Sequence, residues 1–116
     1  MSDVGCSIEL EPEVEARFES LPVSTFATVA PHVERLAARG NASRMPASRA
    51  LGDGLFELRF DVRGTAWRIP YFFSSRRTIV LLTVFRKQRM NERAEISRAR
   101  AVMARCIDAR HSAGEY

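Results

Sequence analysis

The sequence predicts an α+β domain: a small antiparallel β-sheet, met in the order β-α-α-β-β-β-α and flanked by helices. Three observations predict it. Apolar residues recur at helical spacing between positions 13 and 39 and again between 92 and 110. They alternate every second residue from 55 to 73, and from 78 to 85 they form a nearly continuous β-branched run. At 116 residues the chain has room for one domain, residues 1–116, with a core that needs no disulfide or metal staple.

The elements follow in order. Ser7-Ile8-Glu9-Leu10 reads as a short first strand, ended by Glu11-Pro12. Glu13 to Leu21 reads as a helix, with Val14, Phe18 and Leu21 on one face and Pro12 suited to its first position. Pro22 opens a second helical region whose stripe is Phe26, Val29, Ala30, Val33, Leu36 and Ala37. Pro31 inside it must kink the helix or start a new one, and Gly40-Asn41 makes a good stop. Residues 41–53, with Pro46, Ser48, Gly52 and Asp53, read as a loop.

Leu55 to Phe60 is then a strand with Phe56, Leu58 and Phe60 on one face and Leu55, Glu57 and Arg59 on the other. Arg63-Gly64 turns into a second strand, Ala66 to Phe73, with Trp67, Ile69 and Tyr71 set against Arg68, Pro70 and Phe72. Pro70 predicts an edge or a bulge. Thr78 to Phe85 is expected to be the central strand, covered on both sides. Asn91 suits the N-cap of a last helix reaching about Arg110, with Ala99, Val102, Met103, Cys106 and Ile107 as its apolar stripe. Ser112 to Tyr116 is expected to fray, with His111 in the same tail.

Composition narrows the function. No apolar run approaches the roughly 20 residues of a membrane span. The start, Met1-Ser2-Asp3-Val4, lacks the basic and apolar regions of a signal peptide, so a cytoplasmic location is expected. Cys6 and Cys106 are expected to be reduced thiols. The chain has no Gly-rich phosphate loop and no CxxC, HExxH or GxSxG motif, which argues against metal-dependent and triad enzymes and for no cofactor.

Charge is more informative. Residues 1–40 carry a net charge of −4 and residues 41–116 a net charge of +8, supplied by 17 Arg and one Lys over the whole chain. That asymmetry suits a polyanionic partner, and guanidinium pairs with phosphate through two parallel hydrogen bonds. Arg59 and Arg68 lie on strands, opposite the apolar faces, and Arg86, Lys87 and Arg89 follow the last strand. On this reading Arg68 faces outward from the core onto one surface with Arg59 and Lys87. Cations fixed around a phosphorane stabilise its charge without a metal. A solvated sheet face would carry the same arginines, and Glu57 among them is open to either a pairing or a catalytic role. Trp67 and Tyr71 are read as core residues, and His32 as surface or structural.

The ordered set Leu51-Gly52-Asp53-Gly54-Leu55-Phe56-Glu57-Leu58-Arg59-Phe60, then Trp67-Arg68-Ile69-Pro70-Tyr71-Phe72, then Leu81-Leu82-Thr83-Val84-Phe85-Arg86-Lys87-Gln88-Arg89 resembles the HigB-like, phage-derived branch of the RelE/ParE toxin superfamily. Leu36-Ala37-Ala38-Arg39-Gly40 and Pro46 match the approach to that core, and the resemblance covers roughly residues 18–107. It implies a RelE-like fold and the toxin of a type II toxin–antitoxin system. Many such toxins cleave mRNA on the ribosome without a metal, leaving 2′,3′-cyclic phosphate and 5′-hydroxyl ends, and the resemblance implies that activity here. A cognate helix-turn-helix antitoxin is the implied partner, with operator DNA bound only through the complex.

Carried over by motif, Arg59, Arg68 and Lys87 are the implied catalytic residues, with Arg86 and Arg89 as RNA-binding neighbours. Two departures stand out. Glu57 occupies a place where RelE-type enzymes often have a second lysine, and no His or Tyr follows Lys87 closely. They leave room for the ParE alternative, a non-catalytic inhibitor of DNA gyrase on the same fold.

Overall fold

The structure, a computed structural model, describes residues 5–40 and 47–113. Asn41 and Pro46, named in the sequence reading, and the last residues 114–116 lie outside the described residues. The elements are β1 (Ser7–Leu10), α1 (Pro12–Glu19), α2 (Val23–Arg39), β2 (Ser48–Gly52), β3 (Leu55–Val62), β4 (Thr65–Ser75), β5 (Thr78–Leu81), β6 (Phe85–Arg86) and α3 (Glu92–Ala113). The α+β class holds: one sheet flanked by helices. Among the described residues no helix is long and apolar enough to cross a membrane.

The sheet order is β1-β5-β4-β3-β2, with β6 also paired to β4. All pairs are antiparallel except β1 and β5, which run parallel. The β3–β4 hairpin is the spine, in continuous register from Phe56↔Tyr71 to Val62↔Thr65. Its turn is the expected Arg63-Gly64, both residues at positive φ (52° and 84°), as a two-residue hairpin turn of matching twist requires.

Three expectations about strands change. Residues 48–52, read as loop, form β2, joined to β3 through Asp53 and Gly54, again both at positive φ. The apolar run from Thr78 does not stay one strand: β5 ends at Leu81, and β6 resumes at Phe85. The middle of the sheet is β4, not that run. Pro70 explains the break. Its carbonyl accepts from the Leu82 N–H at 2.9 Å, so its ring nitrogen, which has no hydrogen to donate, faces the same flank. The ladder on that side ends there, and β6 picks it up again at Arg68 and Trp67.

Helices close both faces. On one side α1 and α2 bring Val14, Val29 and Leu36 against Leu58, Phe60, Val62, Trp67, Ile69, Tyr71, Ile79 and Leu81. On the other, Ala99, Val102 and Cys106 of α3 meet Leu55, Phe72, Val80 and Leu82. Alternation along β3, β4 and β5 therefore feeds two cores. Trp67 and Tyr71 are core residues, as expected. Cys6 packs against the first core and Cys106 lies in the second, and both are free thiols.

The helices differ in detail from the periodicity. α2 runs unbroken through Pro31, which stays on the solvent side while Val29 and Leu36 are buried. It ends at Gly40, φ +54°, where an added Cβ would stand 2.9 Å from the Cys6 sulfur. α3 continues to Ala113, beyond the expected end near Arg110, and takes His111 into the helix. Asn91 precedes α3, but its side chain closes the turn out of β6. Its Oδ1 accepts from Gln88 N–H at 2.9 Å, and its Nδ2 donates to Arg86 O at 3.1 Å.

Candidate functional site

Register places the cations. Arg59 of β3 pairs directly with Arg68 of β4, and Arg68 pairs with Phe85 of β6. One step along, Arg49 of β2 pairs with Glu57 of β3, which pairs with Pro70. Directly paired residues share a face. Arg49, Glu57, Arg59 and Arg68 thus occupy one patch, on the face that carries α3. The start of α3 approaches the same patch. A cleft of about 520 Å³ is lined by Arg49 and Leu51 on one side and Glu92, Arg93, Ile96 and Ser97 on the other.

α3 is fixed over the sheet by two clasps. Arg100 donates to the Leu51 carbonyl at 2.7 Å and the Gly52 carbonyl at 3.3 Å, tying the helix to the end of β2. Arg98 holds both carboxylate oxygens of Glu13 at 2.8 and 2.7 Å, tying it to α1, and also Glu95 at 2.9 Å.

At the centre of the patch Glu57 is fully buried and Arg68 is 7% exposed. Arg68 Nε lies 3.9 Å from Glu57 Oε1, and Arg68 Nη1 donates to the Trp67 carbonyl at 3.0 Å. Among the described residues neither carboxylate oxygen of Glu57 has a hydrogen-bond partner, nor does Arg68 Nε. Burial pushes the Glu57 carboxyl above its ordinary range. Arg68 pulls it back most strongly, Glu92 pushes the same way as burial, and Arg59 and Arg49 pull back less.

The expected outward-facing Arg68 is therefore corrected. Its side chain does lie opposite Trp67 and Ile69, but that face is a second interior, because α3 covers it. A strand pattern shows which residues share a face, not whether a later helix closes that face.

The remaining candidates separate. Arg59 is half-buried beside Arg68. Lys87 is exposed, and its N–H donates to the Ala66 carbonyl at 2.8 Å, one register step beyond the Arg68–Phe85 pair and on the Arg68 face. Arg86 pairs with Trp67 and so belongs to the opposite face. There it lines a cleft of about 310 Å³ with Arg63, Thr65 and Trp67. Arg89 is exposed in the turn before α3. The five cations thus do not share one surface. Arg49, absent from the sequence reading, joins the patch because β2 exists. The dipeptide Asp53-Gly54, a strong signal for a two-residue hairpin turn, marks that strand in the sequence.

The model of the family described as phage-derived protein Gp49-like matches residues 16–104. The chain belongs to this family. The Gp49-like span takes in α2, the whole β2–β6 region and most of α3, so every cation discussed above falls inside it. The Gp49-like fold is also that of solved RelE proteins. A chain of the toxin–antitoxin complex RelBE2 from Mycobacterium tuberculosis superposes with a TM-score of 0.53 at 20% identity, covering 72% of this chain and 100% of that one. A mutant E. coli toxin RelE in the free state superposes with a TM-score of 0.58 at 11% identity, covering 89% and 98%. Comparison with the curated proteins returns no significant match.

Proposed function

We propose that this protein is the toxin of a type II toxin–antitoxin pair and cleaves mRNA on the ribosome without a metal. The observation that carries this reading is the Arg59–Arg68 cross-strand pair, set on a RelE-type sheet in a Gp49-like chain. In the reaction the 2′-hydroxyl loses its proton and attacks the neighbouring phosphorus. The bond to the 5′-oxygen breaks and that oxygen takes up a proton, leaving a 2′,3′-cyclic phosphate and a 5′-hydroxyl. Negative charge builds on the non-bridging oxygens, where Arg59, Arg68 and Lys87 act as the stabilising cations. Arg86 and Arg89 bind RNA backbone. Arg68 is nearly covered in the free protein. The reading therefore requires its guanidinium to become accessible when RNA binds. An antitoxin is the natural inhibitory partner, as in the RelBE2 complex, and the site of action is the cytoplasm.

The burial and ion pairing of Arg68 also favour a second reading, in which the fold binds DNA gyrase and catalyses nothing. One experiment separates the two. The protein is expressed briefly in a bacterial host, and RNA 5′ ends are mapped. Cut mRNA with 5′-hydroxyl ends, growth arrest, and rescue by the adjacent antitoxin gene are expected. Filamentation and a DNA damage response with intact mRNA would select the gyrase reading. Normal growth with abundant folded protein would remove both.

A further inference from the structure

Glu57 is an anomaly of the interior. Its carboxylate is fully buried, has no hydrogen-bond partner among the described residues, and sits where an apolar side chain would pack between sheet and helix. Its surroundings are basic. Arg49, Arg59 and Arg68, from three adjacent strands, all act on it electrostatically, with the Glu92 carboxylate of α3 opposing them. The specific approach is to Arg68, whose Nε faces Oε1 at 3.9 Å. Arg68 is held a second time by the Trp67 carbonyl on Nη1. The 3.9 Å approach is an ion pair without a hydrogen bond, so the carboxylate draws the Nε edge by charge while the Trp67 carbonyl bonds Nη1 on another edge.

We propose that Glu57 is a positioning residue, whose carboxylate holds Arg68 by its Nε edge and aims the guanidinium at the RNA phosphate. The proposal rests on the endonuclease reading for its consequence in catalysis. It makes the departure from lysine at this position a constructive one. Once RNA binding has uncovered it, a guanidinium kept in place by Glu57 needs little reorganisation as charge develops on the phosphate. The carboxylate does its work charged, and burial and Glu92 make it protonate more readily than an ordinary glutamate, against the pull of Arg68, Arg59 and Arg49. Protonation of Glu57 therefore lowers the rate as pH falls, beginning at a higher pH than an ordinary glutamate would set.

The test is single-turnover cleavage of mRNA on programmed ribosomes by the wild type, Glu57→Gln, Arg68→Ala and the double variant, with melting temperatures. Glu57→Gln keeps shape and removes charge. It should slow cleavage about tenfold, a part of the roughly hundredfold expected when the guanidinium itself is lost, keep ribosome affinity, lower the melting temperature because Arg68 stays buried without its counter-charge, and lose the acid limb of the pH–rate profile. In the Arg68→Ala background it should add no further loss. A wild-type rate and profile in Glu57→Gln, or an equal loss in both backgrounds, overturns the proposal.

A second measurement does not depend on cleavage. The Arg68 Nε–H resonance should be ordered in the wild type and mobile in Glu57→Gln. An unchanged resonance overturns the positioning role. If the wild type cuts no mRNA, the endonuclease reading fails, while this resonance still decides whether Glu57 holds Arg68.

Discussion

Ser48 and Tyr71 join their hydroxyls in a buried hydrogen bond that crosses β3, linking β2 to β4 over the strand between them. The bond pins the one strand that periodicity does not reveal.

Tyr71→Phe should therefore cost about 1 kcal/mol in denaturant unfolding, because it leaves the Ser48 hydroxyl buried and unpaired. Ser48→Ala should cost a similar amount, and the double variant less than their sum. Burial, the main cause, lifts the Tyr71 phenol above its ordinary value of 10.0, against the smaller opposing effect of Ser48. A raised pKa gives stability that is present below pH 10 and lost as pH rises through the folded value. Wild type should lose stability in that alkaline window faster than Tyr71→Phe. Identical alkaline unfolding of the two would show that Tyr71 contributes nothing there.

Arg68 carries a stability cost as well as a catalytic one. Arg68→Ala strands the Glu57 carboxylate and should destabilise by on the order of 3 kcal/mol. Cleavage should fall about a hundredfold in protein that is still folded. Arg68→Met combined with Glu57→Gln should recover most of the stability and none of the activity, since a buried pair is replaceable by groups of similar volume. Chemical denaturation beside cleavage assays checks both parts. An unchanged unfolding midpoint for Arg68→Ala would show that the ion pair is idle.

His32 stacks on Phe60 with ring centroids 4.4 Å apart. Burial first and Arg35 second lower its pKa from 6.5. The unfolded chain then binds the proton more readily, so stability falls as pH drops from above 6.5 through the lower folded value. His32→Phe keeps the stack and should remove that dependence. The melting temperature of the two proteins between pH 8 and pH 5 is the measurement, and parallel curves would discard the assignment.

Arg86 and Arg59 lie on opposite faces of the sheet, and their variants should separate. Arg86→Ala should weaken ribosome binding and reduce the slope of log affinity against log salt by roughly one, with the bound complex cleaving at the normal rate. Arg59→Ala should chiefly lower the rate of the bound complex. A rate defect in Arg86→Ala would place both faces against the scissile phosphate.

Much of this architecture is legible in local pattern. β3 and β4 follow from alternation between Leu55 and Phe73, and the buried stripes of α1 and α2 from spacings such as Val29–Leu36. What escapes is set by partners distant in sequence. β2 has little apolar alternation of its own and exists because β3 offers an edge to Ser48–Gly52. The run after Thr78 looks uniform, yet it breaks where Pro70, on another strand, lacks a donor. The candidate site was legible as residue types and strand faces. Its burial was not, because it depends on where the apolar stripe of α3 and its Arg98 and Arg100 clasps meet segments far away in the chain.

The parallel pairing of β1 with β5 sets an order on biosynthesis. Ser7–Leu10 matches Thr78–Leu81, and nearly all of the sheet's other strands are made in the interval. During translation the first strand has no partner until the fifth has emerged, and closing so long a loop is entropically costly and slow. The hairpin of β3 and β4 can assemble earlier from local contacts. β1 can meet the end of α2 early, through Cys6 against Gly40 and the Ala37 carbonyl, but its strand partner comes only with β5. The complete sheet is therefore reached only after the segment through Leu81 has left the ribosome that made it.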